Sequence, residues 1–285
     1  MIYHRFRLAG FLSLSVLLVA CSGGVSGREL APSAGPIVTS VVHDLSTTST
    51  STTPPSTAST TGAGATTLED DADTITLAEV PEEAVTAQFV VGIGPHIDIY
   101  ASAGATAVAY RLSNPGPFET GPRILELTGN TDGTRSEVVV PVKPNGTLGW
   151  VDLDAVSVRT STSKITVSLS EKTATLEVGG DVIHVAAVAV GKDETPTPLL
   201  ESIVDVLLVN ANGTGPYGTH IFGTNQHSEV LDTFGGGRPA IAIHGTNKPD
   251  LLGQAVSNGC VRMHNDDILI FSEHVELGTR VIVVE

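Results

Sequence analysis

Short apolar runs separated by turn residues extend from about residue 85 to residue 285. Between residues 85 and 161 these runs alternate with Gly, Pro and Asn, a pattern that predicts the strands of a small β-barrel or sandwich. Asn145 and Gly146 are typical of a tight turn within this module. Trp150 lies among alternating valines, which favours packing in the core, and a ligand-binding aromatic is the alternative.

From residue 162 to 285 the strand-like segments continue, and one segment has helical periodicity. The predicted strands are Ile165–Leu169, Ala174–Val178, Val182–Val190, Ile203–Val209, His220–Phe222, Ala240–Ile243 and Arg280–Val284. A helix is predicted from Asp266 to about Val275, with Asn265 as its N-cap and with Ile268, Phe271 and Val275 on one face. The predicted fold class is therefore mostly β: a small β-barrel-like module over residues 85–161, then a β-sandwich or barrel with one or two short helices.

The first 20 residues have the pattern of an export signal. Positively charged His4, Arg5 and Arg7 precede the apolar run Leu8–Val19, which is shorter than the roughly 20 residues that a membrane span needs. The run ends with Leu-Val-Ala-Cys21-Ser-Gly-Gly, which resembles the lipobox of bacterial lipoproteins, where the cysteine is lipidated and becomes the mature N-terminus. An ordinary cleaved signal that contains a cysteine is the alternative.

Residues 21–84 offer little that a folded core could bury. The stretch Leu45–Thr67 is nearly all Thr, Ser, Pro, Gly and Ala, and acidic residues follow within Glu69–Asp73 and Glu79–Glu83. This composition predicts a disordered tether after the lipidated Cys21. A flexible chain of about 60 residues spans roughly 45 Å, enough to hold a folded domain away from a membrane.

Charge and cysteine content narrow the range of partners and chemistry. The formal net charge is −16, from 15 basic and 31 acidic residues, which argues against nucleic acid as a partner and against electrostatic adhesion to anionic lipid. The chain has only two cysteines. If Cys21 carries a lipid, Cys260 has no disulfide partner in its own chain, which indicates either a functional thiol or an inert buried one.

His244 and Cys260 are the candidate base and nucleophile. They are 16 residues apart with turns between them, so only the tertiary fold can bring them together. If the Ala240–Ile243 strand ends against the Ser257–Cys260 turn, the imidazole can accept the thiol proton. Gly259 would let backbone amides around Cys260 face a developing oxyanion. Such a site transfers an acyl group from an amide through a thioester.

The segments His244-Gly-Thr-Asn247 and Ser257-Asn-Gly-Cys-Val-Arg-Met-His-Asn265 resemble the signature of the YkuD-type L,D-transpeptidase catalytic domain. The resemblance extends over residues 162–285, from the opening strands through Pro216–Thr219 to the closing segment Leu277–Val281, and it implies the fold of that domain. Residues 140–158 are similar to the final strands of a Src-homology-type β-module found in exported bacterial wall proteins.

The resemblance implies that Cys260 attacks the L,D peptide bond of a peptidoglycan stem tetrapeptide and releases D-Ala, with His244 as general base and later as acid. An amine from a neighbouring stem would resolve the thioester and form a 3→3 cross-link, and carbapenems would acylate the same cysteine. No cofactor and no metal are implied. The residues expected to hold the oxyanion or bind substrate are Gly259, Ser257, Asn258, Arg262, Gly245, Thr246 and Tyr217.

The sequence departs from the family pattern at two places. Asn258 stands where many members have His before the Gly-Cys pair. Leu199-Leu200 follow Thr195-Pro-Thr-Pro198, where a small residue and a glycine are usual. We therefore expect a changed environment for the base and a reshaped turn at the entry to the groove.

Other interpretations remain open. The site could bind zinc, through His220, His227, His244 and Cys260, although the spacings of metallopeptidases are absent. Arg262 could pair with a carboxylate of the fold instead of with substrate, and His264 could lie on a turn or cap the helix. The acyl-enzyme could be hydrolysed, as in an L,D-carboxypeptidase, or the protein could be a non-catalytic wall-binding lipoprotein.

The expected setting follows from the N-terminal segment. We expect an exported protein, anchored through lipid on Cys21 at the outer face of the cytoplasmic membrane or in the cell envelope. Its expected partners are peptidoglycan stem peptides, as donor and as acceptor, and the membrane that holds the lipid.

Overall fold

The computed structural model describes residues 84–285. The predicted signal peptide (residues 1–20), the lipidation site Cys21 and the predicted tether up to residue 83 lie outside the described residues. Within the described part, no helix has the length and apolar character that crossing a membrane requires.

The first sheet contains seven antiparallel strands in the spatial order β3-β2-β6-β5-β4-β1-β7. The strands are β1 Ala87–Gly92, β2 His96–Tyr100, β3 Val108–Ser113, β4 Ile124–Thr131, β5 Arg135–Val139, β6 Leu148–Asp152 and β7 Val156–Ser161. Alternate residues form a core of this sheet's own, which includes Val90, Ile99, Leu125, Val138 and Val151. Among the described strands, β3 and β7 do not pair with each other, so the module resembles a barrel without being closed by hydrogen bonds.

The prediction that Trp150 packs in the core is wrong. On β6 the inward positions are Gly149 and Val151, and Val151 is fully buried. Because side chains alternate along a strand, Trp150 points to the opposite face, where it is partly exposed beside Tyr100 of β2. The inward position at Gly149 has no space for a side chain, since a Cβ there would lie 2.3 Å from Ile99.

The second sheet has nine strands, and eight of them close into a barrel. The elements are β8 Ser163–Ser168, β9 Thr173–Val178, β10 Asp181–Gly191, β11 Leu200–Val209, β12 His220–His227, β13 Ala240–His244, β14 Ala255–Ser257, β15 Val261–Met263, α1 Asn265–Ser272 and β16 Arg280–Val284. The ring runs β10-β15-β13-β12-β11-β16-β8-β9, and β9 pairs back with β10. β14 joins β10 outside this ring. The predicted mostly β fold is confirmed.

The seven strands predicted in this region all fall on observed strands. The short strands β14 and β15, which flank the turn that carries Cys260, were beyond prediction because three residues are too few to show an alternating pattern. They are nevertheless the strands that fix the position of the candidate nucleophile.

The α-helix α1 is shorter than the predicted segment, and its N-cap differs. His264 caps the helix, because its Nδ1 accepts a hydrogen bond from the Asp266 amide at 3.2 Å. The prediction of Asn265 as the cap is wrong, since the Asn265 side chain bonds to the loop before β12 instead. The apolar face of the helix is buried against the barrel, as predicted.

A third apolar cluster joins the two sheets. Phe89 and Ile124 of the module pack with Ile203 of β11, and the partly buried Leu277 lies against them. Gly278 comes so close to the Phe89 ring that a Cβ on this glycine would lie 2.1 Å from the ring carbon Cε1. The module and the barrel are therefore held together by close apolar packing.

Gly278→Ala should destabilise the protein through this contact. Its φ of +92° strains any residue with a Cβ, and the new methyl would overlap Phe89. We expect the free energy of unfolding, measured by urea titration, to fall by about 2–4 kcal/mol. Gly180→Ala is the matched control, because its φ is +95° but its Cβ would meet open space, so a loss of only about 1 kcal/mol is expected. Equal losses in the two variants would contradict a contribution from Phe89.

Candidate active site

The candidate base and nucleophile are presented by two adjacent parallel strands. In the pairing of β13 with β15, Ile243 lies opposite Val261 and His244 lies opposite Arg262. Ile243 and Val261 point into the core of the barrel. Because side chains alternate, His244, Cys260 and Arg262 point outward on the same face. The sulfur of Cys260 makes no hydrogen bond to His244 within the described residues and lies 4.0 Å from the Ala240 carbonyl oxygen, so proton transfer between the two side chains stays a prediction.

His244 and Cys260 both line an open groove on the outside of the barrel, with a volume of about 130 Å³. The groove is bordered by the turn before β12, by the turn before β15 and by the connection between β12 and β13, residues 228–239, which we call the flap. The lining residues are Pro216, Tyr217, Ser228, Leu231, Phe234, Pro239, Ala240, Ile241, His244, Asn258, Cys260 and Arg262.

His244 is held in one tautomer. Its side chain is 3% exposed, and its Nδ1 lies 2.6 Å from the Gly245 carbonyl oxygen. A carbonyl can only accept, so Nδ1 carries the proton and Nε2 carries the lone pair. The Tyr217 ring packs edge-on, with 4.9 Å between the ring centroids.

The His244 imidazole is uncharged at neutral pH. Burial lowers the pKa of His244 to about 4; the hydrogen bond to Gly245 opposes this shift, and the positive charge of Arg262 adds to it. The lone pair on Nε2 is therefore available at neutral pH, which a general base requires.

Cys260 is a free and partly exposed thiol. Burial of the sulfur raises the pKa of Cys260, while a backbone hydrogen bond from Ala242 and the positive charge of Arg262 act in the opposite direction. The two shifts together give a neutral thiol and a neutral imidazole at rest, in place of a thiolate–imidazolium pair. Attack by Cys260 then requires that His244 accept the proton as the new bond to sulfur forms.

Ser257 organises the turn that carries the nucleophile. It is fully buried, and its Oγ accepts a hydrogen bond from the Gly259 amide at 3.1 Å and donates to the Cys260 carbonyl at 2.5 Å. Gly259 has a φ of +113°, in the left-handed region that favours glycine. The Gly259 amide is thus engaged in this state, and its role towards an oxyanion stays a prediction.

The segment after β10, where we expected a reshaped turn, supports the turn of the nucleophile. Thr197 is buried, and its Oγ1 accepts from the Gly191 amide at 2.8 Å and donates to the Gly259 carbonyl at 2.9 Å. Thr195 Oγ1 donates to the Ser257 carbonyl at 3.2 Å. Side-chain hydrogen bonds therefore fasten both ends of the turn to the barrel.

A tight contact fixes the carbonyl that orients the base. A Cβ on Gly245 would lie 2.2 Å from Asn265 Oδ1, and a Cβ on Gly218 would lie 2.5 Å from the Gly245 Cα. Asn265 Oδ1 also accepts from the Thr219 amide at 3.2 Å. Asn265 therefore packs against Gly245, next to His244, a contact that the sequence analysis missed because it assigned this side chain to the helix cap.

The other predicted site residues divide into two groups. Tyr217, Asn258 and Arg262 line the groove. Arg262 forms no ion pair among the described residues and its buried Nε has no hydrogen-bond partner there, so the alternative of a structural pair with a carboxylate finds no support. Thr246 is buried and its Oγ1 accepts from the Lys248 amide at 3.0 Å, which makes it part of the loop after β13 and not of the groove.

The geometry does not favour the zinc alternative. In the part of the chain that the structure describes, no three His, Cys, Asp or Glu side chains are placed to hold a metal ion together. His220 and His227 lie outside the groove lining. Burial lowers the pKa of both, to about 4 for His227.

The flap supplies groove residues that sequence reasoning missed. Leu231 and Phe234 line the groove, but their segment has no strand or helix periodicity. The usable signal was the run Phe234-Gly-Gly-Gly237, which marks a tight turn between two strands.

Comparisons with known proteins give a family for the region that forms the barrel. Residues 162–283 match the family model of YkuD, the L,D-transpeptidase catalytic domain. The YkuD protein of Bacillus subtilis (strain 168), which bears the L,D-transpeptidase name, is 37% identical over 120 residues, covering 42% of this chain and 64% of the relative. Its namesake in Bacillus licheniformis is 37% identical over 123 residues, with the same coverage. The chain thus spans less than two thirds of these relatives.

Among solved structures, an L,D-transpeptidase from Mycobacterium smegmatis is similar in fold. The structural alignment covers 56% of this chain and 82% of the Mycobacterium smegmatis chain. Its sequence identity is 15% and its TM-score is 0.35.

Thr197→Val should destabilise the turn of the nucleophile. The variant keeps the shape of the side chain but leaves the Gly191 amide and the Gly259 carbonyl without partners. We expect the free energy of unfolding in urea to fall by about 2–4 kcal/mol. Thr197→Ser is the matched control, because it keeps the hydroxyl and removes one methyl, for a loss of about 1 kcal/mol. If the serine variant loses as much as the valine variant, the hydrogen bonds are not the cause.

The reactivity of Cys260 should depend on pH with an inflection near 4. As pH rises through about 4, Nε2 of His244 loses its proton and becomes a competent base. We expect the rate of Cys260 acylation by p-nitrophenyl acetate to rise through that pH and then to level off towards neutrality. His244→Ala should remove this rise, and His264→Gln, which alters a histidine outside the groove lining, should keep it. An inflection near 6.5 in the wild type would contradict the buried, uncharged base.

Proposed function

We propose that this protein, whose residues 162–283 form a YkuD-type L,D-transpeptidase catalytic domain, forms 3→3 cross-links in peptidoglycan by cysteine acyl transfer. One observation carries the proposal: His244, at the end of β13, and Cys260, in the turn just before the adjacent parallel strand β15, line the same open groove. Both residues face outward from the barrel, where a polymer-bound stem peptide can reach them.

In the acylation step, Sγ of Cys260 attacks the carbonyl carbon of the L,D peptide bond in a donor stem tetrapeptide. His244 Nε2 accepts the thiol proton as the S–C bond forms. The C–N bond then breaks, the imidazolium returns that proton to the leaving amine, and D-Ala departs. The product is a thioester between Cys260 and the shortened stem.

In the second step, the side-chain amine of an acceptor stem attacks the thioester carbonyl. His244 accepts a proton from the amine, the C–S bond breaks, and the sulfur regains a proton as the thiol. The new amide joins two stems. We assign the developing oxyanion first to the Cys260 amide, because the Gly259 amide already donates to Ser257.

Arg262 is the groove residue best suited to recognise the donor. Its guanidinium lies on the same face as Cys260, and its Nε is buried without a partner among the described residues. A carboxylate of the stem, such as that of the terminal D-Ala, would satisfy this group by a charge-assisted hydrogen bond. Tyr217, Asn258 and Ser228 are further polar residues of the lining.

The proposed setting is the outer face of the cytoplasmic membrane or the cell envelope. The lipobox-like sequence at Cys21 supports a lipid anchor. A Ser/Thr/Pro-rich tether between that anchor and the module would let the groove reach the wall polymer, over roughly 45 Å.

A carbapenem tests the thiol chemistry directly, because its strained amide carbonyl can acylate a competent nucleophile. After incubation of the full chain, we expect mass spectrometry to show one adduct with the mass of the drug on the wild type. The matched variant Cys260→Ser should form the adduct at least 100-fold more slowly, since the hydroxyl is a far weaker nucleophile. No adduct on the wild type would overturn the enzyme proposal in favour of a wall-binding protein.

Isolated stem tetrapeptides then distinguish the two outcomes of the thioester. We expect cross-linked dimers together with free D-Ala. Tripeptides and D-Ala without dimers would show that water resolves the thioester, which would replace transpeptidation by L,D-carboxypeptidase activity.

A further inference from the structure

We propose that the module positions the flap over the groove, through residues 141–145 in its β5–β6 connection, and thereby sets how tightly the donor binds. We call residues 141–145 the module loop. This inference rests on the proposed function in one respect only, the identity of the ligand as a donor stem peptide. The contacts between the module loop and the flap exist whatever that ligand is.

The module loop holds the beginning of the flap. The Asn145 side chain bonds both backbone groups of His227, the last residue before the flap: Nδ2 donates to the His227 carbonyl at 2.8 Å, and Oδ1 accepts from its amide at 3.0 Å. His227 is 3% exposed and Asn145 is partly buried, so these hydrogen bonds are partly shielded from water. A side-chain amide that pairs with one residue in this way mimics the pairing of a neighbouring strand and fixes the direction in which the flap leaves β12.

The module loop also holds the middle and the end of the flap. Lys143 Nζ donates to the Leu231 carbonyl at 2.9 Å and lies 3.6 Å from a carboxylate oxygen of Asp232. At the end of the flap, Arg238 donates from its guanidinium to the Pro141 carbonyl at 2.6 Å. Three residues of the module loop, Pro141, Lys143 and Asn145, thus hold the residue before the flap and two positions within it.

The flap has few hydrogen bonds of its own. Its base is closed by the Ser228 amide, which donates to the Pro239 carbonyl at 2.8 Å, and its tip by two bonds of 3.0 Å between Phe234 and Gly237. The two glycines at the tip have positive φ, and most flap residues are exposed. A segment of this kind opens locally at low free energy unless other elements hold it, and the module loop supplies that support.

The flap position matters because two of its apolar side chains form part of the groove. Leu231, whose carbonyl Lys143 holds, and Phe234 both line the groove with Cys260. If the flap swings outward, the donor loses contacts that do not involve the reacting atoms. Such a loss weakens binding of the ground state and the transition state alike, so KM rises while kcat is retained.

The experiment compares variants of the full chain by hydrogen exchange and by kinetics on a donor stem tetrapeptide. In Asn145→Ala and in Lys143→Met we expect the flap amides to exchange about tenfold faster, and KM to rise about tenfold with kcat within about twofold of the wild type. Lys143→Arg keeps a cationic donor and should restore both values. Lys143 is an exposed residue, so its variants test the proposal even if Asn145→Ala fails to fold.

Asn130→Ala is the matched control within the module. Asn130 is exposed and its side chain donates to Glu137 of the same sheet at 2.7 Å, so neither flap exchange nor KM should change. Unchanged flap exchange in both Lys143→Met and Asn145→Ala would overturn the proposal, as would a fall in kcat at constant KM. If the wild type turns over no stem peptide, the proposed function fails, and flap exchange alone still decides whether the module holds the flap.

Discussion

The parallel pairing of β13 with β15 is the constraint on which the site depends. One set of alternate residues, which includes Ile243 and Val261, is locked into the core of the barrel. The other set, His244 and Cys260, is then forced onto the outer face at a fixed separation. The barrel core thus positions the sulfur and the imidazole, and the side-chain bonds of Ser257 and Thr197 set the shape of the turn that bears the sulfur.

Burial gives the site its resting charge state. It lowers the pKa of His244 and raises the pKa of Cys260. Both side chains are therefore uncharged before substrate binds, and proton transfer from the thiol to the imidazole would accompany attack on a carbonyl. A protonated thiol is also slow to oxidise, because the thiolate is the reactive form. In the exported setting that we propose, a protonated thiol would resist oxidation and remain available for the nucleophilic role that we propose for Cys260.

The sequence predicted the strands of this protein better than its side-chain contacts. The strands of the barrel followed from alternation, and the motif residues His244 and Cys260 line one groove. The prediction for Trp150 was wrong because alternation divides the residues of a strand between two faces and does not say which face packs in the core. The prediction for Asn265 was wrong because an asparagine side chain can either cap a helix or form hydrogen bonds with a neighbouring loop. Only the tertiary structure decides between the two. Asn145 was assigned to a turn, and nothing local signals that its amide reaches His227, 82 residues along the chain.

One further consequence comes from the way the chain passes from the first sheet to the second. β7 ends at Ser161 and β8 begins at Ser163, so a single residue separates them, and Phe89 of the module rests on Gly278 of the barrel. Domains joined by a long flexible linker can move relative to each other. A one-residue linker and an apolar interface do not allow such movement here. Separating the module from the barrel would therefore expose the apolar surface of Phe89 and its neighbours to water.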